Sequence, residues 1–362
     1  MLLPEPCGPL SEHVVHTLRA RPHAPHAVPE PRAMGDVTYP LTDRDFQLAL
    51  WVLYELHYRG FDDVEDPDAE WDPLLMVSRA ALERTFEHAV RELVREAPED
   101  APTLTDLGDT PAEQVTAALV RMTARSGPSG VAQFLHRRAT REEFCSYLAE
   151  RAVYHLRESD PQSFVLPRIG GAAKVALAEL QYDEYGGGRP DRLHQTLFAR
   201  ALTSLDMPTD LAPYVAAAEG ATLASVNLMS LFALNRRLRG AAMGHLAAFE
   251  ATSSLPCERI LRGARRLGLP AAVEDYYDEH VEADAVHEQL AIRGICAALV
   301  EDEPALAEDV VLGATACLAV DGLAGEVLLD GWNARRHPAH DAGHDVGHDA
   351  GHDAGRRTPA AG

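Results

Sequence analysis

LASVNLMSLFALNRRLRGAAMGHLAAF, residues 223–249, decides the fold class. Its apolar positions recur at intervals of three and four, the period of an α-helix packed on one face. Alanine and leucine dominate it, and alternating Val/Ile/Thr stretches are scarce, which opposes a sheet. The same periodicity extends in both directions. It recurs in FQLALWVLYELHY (46–58), LLMVSRAALERTFEHAVRELV (74–94), FCSYLAERAVYHL (144–156), AKVALAELQY (173–182) and ADAVHEQLAIRGICAALV (283–300). Asp66-Pro67, Ser126-Gly127-Pro128, Gly186-Gly187-Gly188 and Leu255-Pro256 read as breaks between helices. The expected architecture is all-α, a bundle whose helices are long enough to hold a site between them.

The ends read differently. Residues 1–40 are rich in Pro, His and Ala and are expected to form a flexible N-terminal arm; the helical body is expected over 41–335. Residues 336–362 contain HPAHDAGHDVGHDAGHDAGRR, in which His-Asp recurs every fourth residue with Gly between, and are expected to be a disordered tail. The 362 residues carry a net charge of -23, from 33 Lys+Arg against 56 Asp+Glu. That balance opposes a broad phosphate-binding surface, so no nucleic-acid partner is expected. The five cysteines are far apart, with no CxxC, which suggests a reducing compartment and no disulfide scaffold. The N-terminus shows no secretory pattern, and no apolar run reaches about 18 residues without charge or glycine. A cytoplasmic enzyme or binding protein with no membrane association is the expectation.

YYDEHVEADAVHEQLA (276–291) is where chemistry first shows. His280, Asp284 and His287 stand at i, i+4 and i+7 and share one helical stripe. Imidazole and carboxylate on one stripe suit iron, manganese or zinc, while a solvated polar face with incidental histidines has the same pattern. In AELQYDEYGGGRPDRLHQTLF (178–198), Glu184 ends one helix. Pro190 is expected to start the next, which would place Asp191 and His194 at i, i+3. Asp191 equally suits a first-turn acid that favours the helix dipole. Glu158 and Glu250 are acids in otherwise apolar helical context, each close to a helix end.

Taken together, RESDPQSFVLPRIGG (157–171), LQYDEYGGGRPDRLHQTLF (180–198), residues 223–256 and 276–291 resemble the iron-containing redox enzymes of the haem-oxygenase-like fold, also called haem-oxygenase-like diiron oxidases and oxygenases. YELHYRGFDDVEDPDAEWDPLL (54–75) resembles the N-terminal helices of one subgroup, so the resemblance covers about 45–330. It implies a haem-oxygenase-like bundle with an N-terminal helical extension. It implies metal-ligand roles for Glu158 on the first core helix, Glu184 and His194 on the second element and the segment after it, Glu250 on a later helix, and His280, Asp284 and His287 on the last. Four carboxylates against two divalent ions give the near-neutrality that burial tolerates. The implied cofactor is two iron ions, with Mn/Fe also suited to the ligand set. The implied partners are O2, a small-molecule substrate and an external electron donor, and a homodimer is compatible with it. The implied activity is oxidation of a small amine, amino acid or carboxylic acid: N-oxygenation, desaturation or oxidative C–C cleavage.

Glu55 and His57 sit beside apolar positions and are expected to form a buried hydrogen-bonded pair or to support the ligands rather than bind metal; Asp191 is a further candidate for such support. Arg236, Arg237 and Arg239 read as a solvated, ion-paired run; their functional alternative is a carboxylate-binding wall or a donor-docking patch. His155 and His245 read as core histidines. A rival from another class is a metal buffer or metallochaperone that works through the His-rich tail.

Overall fold

The computed structural model describes residues 1–20, 37–96, 104, 107–125 and 130–336, excluding the side chains of Ala20, Arg125 and 282–286. Every regular element among them is helical. In chain order these are α1 (Pro9–Ala20), α2 (Arg44–Glu55), α3 (Pro73–Arg95), α4 (Pro111–Arg125), α5 (Gly130–Arg137), α6 (Arg141–His155), α7 (Asp160–Ser163) and α8 (Gly171–Glu184). There follow α9 (His194–Thr203), α10 (Ala212–Ala217), α11 (Gly220–Leu234), α12 (Arg239–Ala251), α13 (Ser254–Leu267) and α14 (Ala271–Gln289). A π-helical stretch, Leu290–Ala297, links α14 to α15 (Ala298–Asp302), and α16 (Ala307–Arg336) closes the described chain.

The centre is α11 and α12, the stretch read first. Every residue from Gly220 to Ala233 is buried on α11, and α12 is buried from Gly240 to Ala248 and again at Glu250. Helices apolar on all sides can only be covered on all sides. Accordingly α2 and α6 flank α11, while α16, α14 and the π segment flank α12. The closest approach is between α12 and α16. A Cβ at Gly244 would fall 1.8 Å from the Val310 carbonyl oxygen, and one at Gly313 would fall 1.9 Å from that of Ala241. Two glycines therefore let these backbones touch.

Local signals explain the boundaries. Asp43 caps α2 by accepting from the Phe46 amide, and Asp72 caps α3 through Leu74 and Leu75. Thr140 and Glu143 form a capping box on α6. The break expected at Leu255-Pro256 falls earlier, at Thr252–Ser253, because a proline in the first turn of α13 forfeits no helical hydrogen bond.

The N-terminus corrects the flexible-arm expectation for its first 20 residues; 21–36 lie outside the described residues. Residues 9–20 form α1, docked on α2 with Val14, Val15 and Leu18 buried. Its cap comes from another helix. Asp45 of α2 accepts from the amides of Leu10 and Ser11, both at 2.8 Å, and from Ser11 Oγ at 2.5 Å. Three bonds on one carboxylate outweigh the poor helix signal of Pro9 and the histidines. Asp45→Ala is expected to cost about 1–2 kcal/mol and to accelerate hydrogen exchange over residues 9–20. Unchanged exchange there would show that burial alone holds α1.

The tail expected over 336–362 lies outside the described residues from 337 onward. Pro304–Arg336 is long and apolar enough, by length and composition, to cross a membrane. The sequence reading expects no such span, because charge and glycine interrupt the run. In the structure Val310, Gly313, Ala314, Ala316, Cys317 and Val320 of this helix are buried, and it lies along α12.

Candidate metal centre

Six of the seven positions expected as ligands converge in the interior. Glu158, Glu184, His194, Glu250, His280 and His287 are each no more than 7% exposed. They form two groups, Glu158/His194/His280 and Glu184/Glu250/His287, whose ligand atoms lie within 4.8 Å of one another in each group. Asp284 is on α14 between the two histidines, and its side chain lies outside the described residues.

Glu184 joins the groups. Its Oε2 is 3.1 Å from His194 Nδ1, and its Oε1 is 3.4 Å from His287 Nδ1. One carboxylate thus presents an oxygen to each side, as a bridging ligand does. His287 Nδ1 is also 3.4 Å from Glu250 Oε2, and its Nε2 is 3.5 Å from Asp183 Oδ2. His280 Nδ1 donates to the Tyr276 carbonyl at 2.8 Å. That bond places a proton on Nδ1 and turns Nε2 toward Glu158 Oε1, 3.5 Å away. The His194 and His280 rings are 4.6 Å apart.

The local backbone explains how the chain delivers these groups. Gly186, Gly187 and Gly188 all have positive φ, which ends α8 directly after Glu184. Arg189 N bonds to the Gly186 carbonyl and Arg192 N to that of Arg189, so this segment is a pair of turns. The helix expected from Pro190 therefore begins at His194, and Asp191 is exposed in the turn, away from the ligands. Glu158 also differs from expectation. It lies in the turn after α6 rather than on a helix, ahead of Ser159, a non-glycine residue at φ 66°. Three bonds hold that left-handed residue: Ser159 N donates to the Tyr154 hydroxyl at 3.3 Å, its carbonyl accepts from Gln181 at 3.0 Å, and its Oγ donates to Glu184 Oε2 at 3.1 Å. Backbone strain is thus kept between two ligand carboxylates.

His155, read as a core histidine, is buried and hydrogen-bonded, and its bonds run to the candidate centre. Arg151 Nε donates to its Nε2 at 3.2 Å, so the proton is on Nδ1, which donates to Glu158 Oε1 at 2.8 Å. The Tyr276 hydroxyl is 3.0 Å from Glu158 Oε2. Burial, then the charge of Glu158, pushes the Tyr276 phenol well above its ordinary value, so it stays a neutral donor. Burial opposes the ionisation of Glu158, but His155 and His280 outweigh it and hold the carboxyl well below the usual range. Burial likewise opposes Glu184, which His194 brings net downward; burial and the nearby Glu184 raise Glu250.

Spacing carries a signal for these residues: Tyr276 precedes His280 by four on α14, and His155, the last residue of α6, precedes Glu158 by three across the helix end. His155→Phe is expected to weaken metal binding about 10- to 100-fold with cooperative unfolding retained. Metal titration checks this, and unchanged affinity would reduce His155 to packing.

The other expected supports go elsewhere. Glu55 is buried against Arg157, and His57 Nδ1 pairs with Glu70 Oε1 at 3.1 Å beside Trp71. Arg237 pairs with Glu87 and Arg239 with Glu303, which favours the ion-paired reading of that run. His245 lines a small cavity with Met229 and Phe232, and burial holds its pKa down to about 4. All five cysteines are free thiols; Cys296 and Cys317 are buried fillers.

The donor set fits a pair of hard-to-borderline transition ions. Three imidazoles and three carboxylates suit iron or manganese, and the buried His194 Nδ1 is 3.1 Å from Glu184 Oε2 without an aligned hydrogen bond. Comparison with known proteins agrees. Residues 145–322 match the family model described as iron-containing redox enzyme. A nitrosourea synthase from Streptomyces achromogenes subsp. streptozoticus is 28% identical over 155 residues, which is 43% of this chain and 33% of the relative. The chain thus spans about a third of that relative's length. A CADD-like protein of unknown function from Nostoc punctiforme aligns at TM-score 0.41 and 16% identity, covering 68% of this chain and 98% of that one.

Proposed function

We propose that this chain, whose residues 145–322 match the family model of the iron-containing redox enzymes, is an oxidoreductase that holds two iron ions between its two candidate ligand groups and uses O2 to oxidise a small amine, amino acid or carboxylic acid. The observation that carries the reading is Glu184, with one oxygen toward each group. Glu158, His194 and His280 would hold one ion and Glu184, Glu250 and His287 the other, with Asp284 on the same stripe of α14. Iron(II) bound there supplies the electrons that reduce O2.

The protein's part is positional. Two donors, His155 and Tyr276, engage both oxygens of Glu158 and restrict its rotation. Ser159 orients the Glu184 oxygen that faces His194. Burial of all six groups excludes water, which strengthens each of these contacts. Tyr276 is a neutral donor next to the centre that holds Glu158 by a hydrogen bond while keeping its own proton. The nitrosourea synthase relationship supports oxidation at nitrogen within the proposed substrate range.

The test is metal analysis of anaerobically reconstituted protein, followed by O2 uptake with a panel of amines, amino acids and acids. About two ions per chain and substrate-dependent uptake support the reading; full loading without uptake defeats it. The metal-buffer alternative makes the opposite forecast. It requires loss of loading on deletion of 337–362 and unchanged loading in His280→Ala.

A further inference from the structure

Arg157, the residue before Glu158, is only 3% exposed. Its Nη1 donates to Glu55 at the end of α2. Its guanidinium also lies over the Trp51 ring at 5.1 Å and the Tyr58 ring at 4.9 Å from the centroids. An ion pair and two aromatic faces therefore immobilise it. Its remaining donors, Nε and Nη2, take no hydrogen-bond partner among the described residues. These two are the side-on fork of a guanidinium, the pair of parallel N–H bonds that grips a carboxylate with both oxygens. A buried cation with this edge open is costly unless the edge has an occupant.

The neighbouring carboxylate, Glu158, turns toward His155, Tyr276 and His280, whereas Arg157 turns toward α2. One step of backbone thus divides the metal-facing residue from the open fork. Gln162, a few residues on, is also buried and has an unpartnered Oε1; it lines the cavity shared with His245, Met229 and Phe232. Unsatisfied donors and acceptors therefore accumulate on the α2, α7 and α11 side of the centre.

We propose that Arg157 is the carboxylate anchor of the substrate, and that Glu55, Trp51 and Tyr58 hold its fork open for that purpose. This rests on the oxidoreductase reading and narrows its substrate class to molecules that carry a carboxylate. The role read as an alternative for the 236–239 arginines belongs instead to this single buried one.

The test uses full-length protein loaded anaerobically with Mn(II), so that binding is read without turnover. The probes are the proteinogenic L-amino acids and medium-chain fatty acids, each compared with its primary amide by calorimetry. At least one acid is expected to bind about 10- to 100-fold more tightly than its amide. Arg157→Lys, which keeps the charge but loses the fork, is expected to erase that preference at unchanged metal content. If no acid outbinds its amide on the unaltered protein, or if Arg157→Lys keeps the preference, the anchor is overturned. Metal content of the same samples separates the two ideas: failure to take up Mn(II) defeats the metal reading, whereas full uptake without acid preference defeats only the anchor.

Discussion

Glu184→Ala is expected to lower iron content from about two ions per chain to fewer than one and to abolish iron-dependent O2 uptake. Its carboxylate faces both ligand groups, so its removal strips a donor from each and places the remaining donors against an apolar gap. His287→Ala makes the informative contrast. It removes a ligand from one group and leaves Glu158, His194 and His280 intact, so about one ion should remain, with uptake still lost. Iron analysis after anaerobic reconstitution and desalting distinguishes the two. Two ions retained in Glu184→Ala would remove Glu184 from the centre.

The second large effect is on stability. Gly244→Ala or Gly313→Ala places a methyl group 1.8 or 1.9 Å from a backbone carbonyl oxygen of the opposing helix. No side-chain rotation relieves that contact; α12 and α16 must separate. The expected cost is on the order of 3 kcal/mol, read as a fall in Tm of several degrees. Gly322→Ala, with open space around its Cβ position, serves as the control. Because α12 carries Glu250, the first two variants should also lose iron affinity, although neither touches a ligand. A Tm within experimental error of the parent would show that the helices have slack.

How much of this was legible beforehand follows from where each residue sits. His280 and His287 lie on one helix, where spacing translates directly into a shared face, so the stripe could be read from residue numbers alone. Glu184 and His194 were legible as neighbours of a glycine break, but the start of the second helix was not. A further turn over residues 189–192, closed by Arg192 N on the Arg189 carbonyl, occupies the residues that a proline signal would assign to the first turn of the helix. Glu158 rested on family resemblance alone, since it lies in a turn that periodicity does not describe. The surroundings of His155 and Arg157 were not legible because they depend on residues distant in sequence, Tyr276 for one and Glu55 and Trp51 for the other. Helix α1 was missed for a different reason: its cap is supplied by Asp45, 34 residues from Ser11.

The wide-turned stretch Leu290–Ala297 begins just after His287 and packs on α8 and α12, with Cys296 Sγ donating to the Met243 carbonyl at 3.3 Å. A π-helical turn holds more residues than an α-helical one, so angular phase is not carried faithfully across it. The segment acts as a slip joint in an otherwise continuous rod. Drift in the pitch of the histidine-bearing half is absorbed before it reaches the half wedged between its neighbours. Insertions or deletions in this lineage should therefore be tolerated at 290–297 and poorly tolerated between 280 and 287.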